Sequence, residues 1–291
     1  MFNKNNLKYI FILAIGFFWC SSLYLTQEQH LTSYASVEFV NIAELLFGSL
    51  SMALGILTFG LLYRKNKNVK NIFIIFMILS LVSMISFFAT ENKYFMSVCL
   101  CLSCFFGTAG FGAGYHFSLL GSNVEKEYRG RVFAIGYGLG SIGTYLMILF
   151  PESFYSSIKT LIIYVPMLLL NLYLIIKKTN MMQIKDEKLT TSFKNNFIRI
   201  SIIVLAMSLL SALSTDVIAI NTIDIAGGYG ATRLYYCLGL LVAGFLVDKK
   251  NSLFEILTIA SFVVSLLSII LLNEDYSINL IAGLSYSFVA F

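Results

Sequence analysis

Two charged residues sit inside apolar runs of this chain, and they are the first candidates for chemistry. Asp216 lies in the run 198–220, about sixteen residues from Ile200, or ~24 Å along a helix. Arg233 lies in the run 230–247, about fourteen residues from Val247, or ~21 Å on the same rise. Consecutive antiparallel helices would bring the two to similar depth. An unpaired charge in hydrocarbon costs on the order of 2.5–3.5 kcal/mol. The pair is therefore either a structural ion pair or a gate opened by a proton or a substrate anion. Ser208, Ser211, Thr215 and Thr222 share one face of the same run, with Asp216 at its edge. Such a stripe can line a site for a small polar solute, or it can hydrogen-bond neighbouring helices and its own backbone.

Other polar groups interrupt the apolar runs more sparsely. Trp19, Ser21, Ser22, Tyr24 and Gln27 fall near the end of the first, and Ser103, Thr108 and Tyr115 within the fourth. Trp19 also suits a lipid-facing aromatic belt. Glu44 reads as the boundary of the second run, and His116 as a boundary or packing residue or a proton relay. Cys20, Cys99, Cys101, Cys104 and Cys237 all lie in apolar runs, where hydrocarbon disfavours the thiolate that a metal needs. They read as buried free thiols, with no metal expected. There is no H-E-x-x-H, no G-x-S-x-G and no pair of intramembrane aspartates, so no enzymatic chemistry and no cofactor is expected.

These residues need a bilayer around them. Hydrophobic residues make up 58% of the 291 and charged residues 12%, where a soluble domain has roughly 25% charged. In lipid only helices or closed barrels satisfy the backbone, and the long unbroken runs are those of helices. Ten spans are expected, at 7–25, 41–63, 71–90, 95–120, 132–150, 160–176, 198–220, 230–247, 253–272 and 277–291. The first is read as an uncleaved span, since no A-x-A-like site follows it. Placing the N-terminus in the cytoplasm puts seventeen of the twenty Lys and Arg residues on the inner side, leaving Lys93, Lys159 and Arg233. The expectation is a multi-pass protein of the cytoplasmic membrane. The charge of +5 is accounted for by these positions and points to no nucleic acid.

The links carry the patterns. Glu127-Tyr-Arg129-Gly130-Arg131 joins spans four and five and runs into glycines at 136, 140 and 143, one helical face. Gly244-Phe-Leu-Val-Asp248-Lys249-Lys250-Asn251 joins spans eight and nine. A weaker copy, Gly60-Leu-Leu-Tyr-Arg64-Lys65-Asn66-Lys67, joins spans two and three, 184 positions earlier. Ser80 and Ser83 after the first copy match Ser265 and Ser268 after the second. The E-x-R-G-R link and the repeated G-x-L-x-D-R/K loop resemble those of major facilitator superfamily transporters. Arg64 stands where that signature has its aspartate.

The resemblance implies an all-α, two-bundle architecture that transports by alternating access. Its bundles would be 1–176 and 198–291, joined by a cytoplasmic linker at 177–197. Spans one, four, seven and ten would line the cavity. Gly60, Arg64, Arg129, Arg131, Gly244, Asp248 and Lys249 would be loop residues of the conformational cycle. The family has twelve spans, so the second bundle is expected to be incomplete and the chain a fragment. Span four lacks the arginine, and span five the G-P pair, of proton-coupled drug exporters. The substrate is expected to be a small solute, with a proton or another ion as coupling partner. The alternatives are a transporter-like membrane sensor and a non-functional fragment.

Overall fold

The structure, a computed structural model, describes residues 6–65, 68–179, 229–249 and 263. All the regular structure among them is helical. Among the described residues, six helical segments are long and apolar enough to cross a membrane: Leu7–Thr32, Val37–Tyr63, Val69–Phe88, Lys93–Asn123, Lys126–Ile148 and Ile158–Lys177. Spans seven and ten of the sequence reading, and span nine apart from Val263, lie outside the described residues.

Helix α1 (Leu7–Thr32) runs past the expected end at residue 25. Span two starts earlier than expected. Ser36 caps it, its hydroxyl accepting from Phe39 N–H, and α2 (Val37–Ala43) passes through a π-helical turn, Glu44–Ser49, into α3 (Leu50–Lys65). Glu44 therefore opens the π turn seven residues into the span, not the span itself. Helix α4 (Val69–Phe88) follows, then the Asn92 cap of α5 (Lys93–Phe106), whose side-chain oxygen accepts from Tyr94 N–H at 3.0 Å and Phe95 N–H at 3.2 Å.

Span four, expected as one helix over 95–120, is two. Helix α5 stops at Phe106 and α6 (Phe111–Asn123) restarts after Gly110. Gly107 turns extended (φ −75°, ψ −173°), and a Cβ on Gly110 would stand 2.5 Å from Phe105 O, so the chain can fold onto itself here only without a side chain. Helix α7 (Arg129–Ile148) follows a 3-10 turn at Lys126–Tyr128. The short α8 (Glu152–Tyr155), α9 (Leu161–Lys178) and α10 (Tyr229–Val247) complete the described chain.

Contacts divide the chain into two units, one of residues 1–124 and 146–181, the other of 125–145 and 182–291. The first unit has a dense aromatic interior. Phe73 stacks on Tyr115 with ring centroids 4.1 Å apart, Phe59 meets Phe111 edge-on at 5.1 Å, and Trp19 meets Tyr164 edge-on at 6.0 Å. Trp19 is 2% exposed, so it belongs to this core and not to a lipid-facing belt. His116 is buried beside it in kind. Its ring fills the space over Gly16, with Nε2 only 2.8 Å from where a Cβ would stand, which makes it a packing residue of α6 against α1. By contrast Leu45, Leu57 and Leu61 of span two are about two-thirds exposed, a face suited to lipid tails. The end of α9 is held by Lys70, whose ammonium donates to Ile176 O at 3.1 Å and Thr179 O at 2.6 Å. A cation there complements the negative pole of the helix.

Candidate functional site

The N-terminus of α7 leaves backbone N–H groups without intrahelical acceptors, as every helix start does. Asp248, one residue past the end of α10, supplies them. Its Oδ1 accepts from Gly130 N–H at 2.9 Å and its Oδ2 from Arg131 N–H at 2.9 Å. Oδ2 also takes the Arg131 Nε–H at 2.9 Å, closing an ion pair. The Asp248 side chain is 1% exposed and the Arg131 side chain 24%. The buried side chain meets complementary partners: two N–H dipoles at the positive pole of a helix and a guanidinium. Arg131 is fixed in turn, donating from Nη2 to Glu127 O at 3.0 Å, with its guanidinium 4.9 Å from the centre of the Tyr128 ring.

Close approach of the two helices makes this clamp reachable. A Cβ on Gly130 would stand 2.6 Å from Gly244 O, and one on Gly244 would stand 2.5 Å from Gly130 O. Further along, a Cβ on Gly138 would stand 3.0 Å from Cys237 Sγ. Gly130, Ala134 and Gly138 thus form the small-residue stripe on α7, each four residues from the next. The stripe expected from the sequence, Gly136, Gly140 and Gly143, lies on another face of the same helix. Both obey helical spacing, and only the partner helix distinguishes them. Gly60, the counterpart of Gly244 in the first copy of the loop, has open space where its Cβ would be. Arg64 is helical, and its side chain lies outside the described residues. Arg129 and Lys249 are exposed at the two ends of the clamp.

A second polar region runs through the first unit. Gln27 is 2% exposed and donates from Nε2 to Ser103 Oγ at 3.1 Å, linking α1 to α5. Thr26 Oγ1 lies 3.1 Å from Tyr164 OH, linking α1 to α9, and Ser22 Oγ donates to Phe18 O. His30, which the sequence reading passed over, is 6% exposed with Nδ1 2.7 Å from Ser156 O. Rings of Phe87, Phe88 and Tyr34 surround it. Tyr164 was also passed over, and Ser80 was marked only as part of the match between the two loop copies. Isolated hydroxyls in apolar runs carry no signal until the facing helix is known. Tyr24 lies in α1 and Arg233 in α10, but their side chains lie outside the description, as do Ser208, Ser211, Thr215, Asp216 and Thr222 altogether.

These features define a class. The chain is a polytopic helical membrane protein with the major facilitator fold. Among solved structures it is similar to a crystal structure of a mutant of nucleoside transporter NupG, with a TM-score of 0.62 and 10% sequence identity. That likeness covers 99% of this chain and 80% of the other. No family model matches the sequence, and no curated protein matches it.

Proposed function

We propose that this protein is a secondary transporter of the major facilitator type, moving a small solute across the cytoplasmic membrane by alternating access. The likeness in fold along 99% of the chain carries the reading. In such a fold two bundles, here 1–176 and 198–291 with 177–197 as a cytoplasmic linker, rock about a central site. Asp248 supports the reading with a part suited to that motion: a buried carboxylate that binds one helix end by three bonds and can release it as a unit. Asp216, Arg233, Ser208, Ser211, Thr215, Trp19, Tyr24 and Gln27 are the residues proposed to act in substrate binding or coupling.

Nucleosides are the first solutes to test, because the similar structure is that of a nucleoside transporter. The protein is reconstituted in liposomes preloaded with unlabelled nucleoside, and entry of radiolabelled nucleoside is followed. Saturable exchange above empty liposomes is expected for nucleosides or, failing them, for another small polar solute in the same assay. Absence of exchange across such a panel, with folded protein verified in the liposomes, would refute the reading. Orientation is tested separately with Asp186→Cys in the linker. An impermeant thiol reagent added to intact cells should leave it unlabelled, and ready labelling would overturn a cytoplasmic linker.

A further inference from the structure

The two copies of the loop motif differ in charge. In the second, Asp248 is an acid that grips the start of a helix. The first, residues 60–67, holds no acid: Arg64 stands at the aspartate's place, and Gly60 meets no neighbour where a Cβ would be. A grip of the same kind is closed to it, since the positive pole of a helix start repels a cation. A cation suits the opposite pole. Three residues beyond this copy, in the first turn of α4, stands Lys70.

Lys70 reaches the end of α9. The last four carbonyls of a helix have no partner within it. Here Ile176 O accepts from Lys70 Nζ at 3.1 Å, and Ile175 O accepts from Thr179 Oγ1 at 2.6 Å. Thr179 has left the helix (φ −115°, ψ 131°), yet it is 1% exposed, and its own carbonyl takes a second bond from Lys70 Nζ at 2.6 Å. The hydroxyl hydrogen of Thr179 is spent on Ile175 O. The Tyr115 hydroxyl, 3.4 Å away, is therefore the donor of a longer contact to Thr179 Oγ1. Tyr115 is fully buried on α6, with its ring stacked on Phe73 of α4. Spans three, four and six thus converge on one residue, the first of the proposed linker to lie outside α9.

We propose that Lys70 is the clamp residue of the first loop copy, fastening the end of span six, and with it the start of the linker, to span three. It does so by a cation on a helix C-terminus, where the second copy sets an anion on a helix N-terminus. The bond to Ile176 O is exposed, so water can take the place of the ammonium and the clamp can open. Tyr115 carries the hold on to α6, the second half of the broken span four. The use of this opening in transport rests on the carrier reading; the clamp itself does not.

Hydrogen exchange of the whole chain in detergent, read by mass spectrometry on the backbone amides of residues 170–179, measures how often the end of α9 opens. Lys70→Met keeps an unbranched stem and removes the ammonium. Exchange there should quicken by at least roughly tenfold, the lower end of what bonds to a charged donor contribute. Lys70→Arg, which keeps a cation and its donors, should restore most of the protection. Tyr115→Phe should quicken exchange by roughly threefold. Combined with Thr179→Val it should add nothing to Thr179→Val alone, since both remove the same contact. Exchange unchanged in folded Lys70→Met overturns the proposal, and Lys70→Ala decides if Lys70→Met does not fold. An added effect in the double variant overturns the link to α6. In the liposome assay Lys70→Met should change the maximal rate of solute exchange and leave the half-saturating concentration as it was. A loosened α9 in a chain that carries no solute would refute the carrier reading and leave the clamp standing. Solute exchange with protection unchanged in Lys70→Met would do the reverse.

Discussion

Replacing Asp248 by Asn changes one atom of the clamp and leaves its shape. The carboxylate accepts from Gly130 N–H, Arg131 N–H and Arg131 Nε–H, all at 2.9 Å. The amide of Asn offers one acceptor oxygen and puts an NH₂ against the remaining donors. Hydrogen bonds to a charged group contribute about 1.5–3 kcal/mol each, and an anion at a helix N-terminus adds up to ~2 kcal/mol. These overlap and are not summed. Breaking a buried ion pair costs about 3–5 kcal/mol. The lower end applies, because Arg131 is partly exposed and keeps its bond to Glu127 O. A loss of ~3 kcal/mol corresponds to a roughly hundredfold change in an opening equilibrium. Cys237 reports that opening, since it is buried on α10 against Gly138 of α7. With Cys20, Cys99, Cys101 and Cys104 changed to alanine, the rate at which a small membrane-permeant maleimide modifies Cys237 measures how often α7 and α10 part. Asp248→Asn should raise that rate by roughly a hundredfold, toward the limit of the exposed thiol. An unchanged rate in a folded protein would mean that the clamp does not hold the two helices, and the argument from its geometry would fail.

The two copies of the loop motif should differ in tolerance. Gly244→Val forces a side chain toward Gly130 O and should destabilise by about 1–3 kcal/mol, whereas Gly60→Val enters open space and should change stability by under ~0.5 kcal/mol. Equal melting temperatures for the two variants would contradict this. For the pair read from sequence, Asp216→Asn should impair assembly more than the double change Asp216→Asn, Arg233→Gln, because the single change strands a cation in a medium of low dielectric. Yields of folded protein in detergent compare them, and a double variant worse than the single would remove the pairing. Should the pair instead act as a gate, solute exchange would depend on pH in the unaltered chain and lose that dependence in Asp216→Asn.

What the sequence determined by itself is what depends on local composition. Runs of about twenty apolar residues define spans whatever their neighbours are, since the cost of leaving backbone groups unpaired in lipid admits only helices. The six spans observed at 7–178 coincide with the six expected there, apart from their ends. Links between spans were legible for the same reason, which is how Asp248 and Arg131 were both marked as loop residues. That they bind each other was not legible, because the bond joins residues 117 positions apart and depends on where α10 lies against α7. The face of α7 that meets α10 was not legible on the same ground: Gly136, Gly140 and Gly143 satisfy helical spacing as well as Gly130, Ala134 and Gly138 do, and spacing does not say which face meets which helix. Trp19 shows how far composition misleads, since an aromatic residue near a span end suits a lipid belt and a bundle core equally until Tyr164 is brought against it. The break in span four lay in plain view as Gly107-x-x-Gly110. Glycine in a membrane helix permits a break without requiring one, and the close passage of Gly55 along span two is part of the tertiary arrangement that accommodates it.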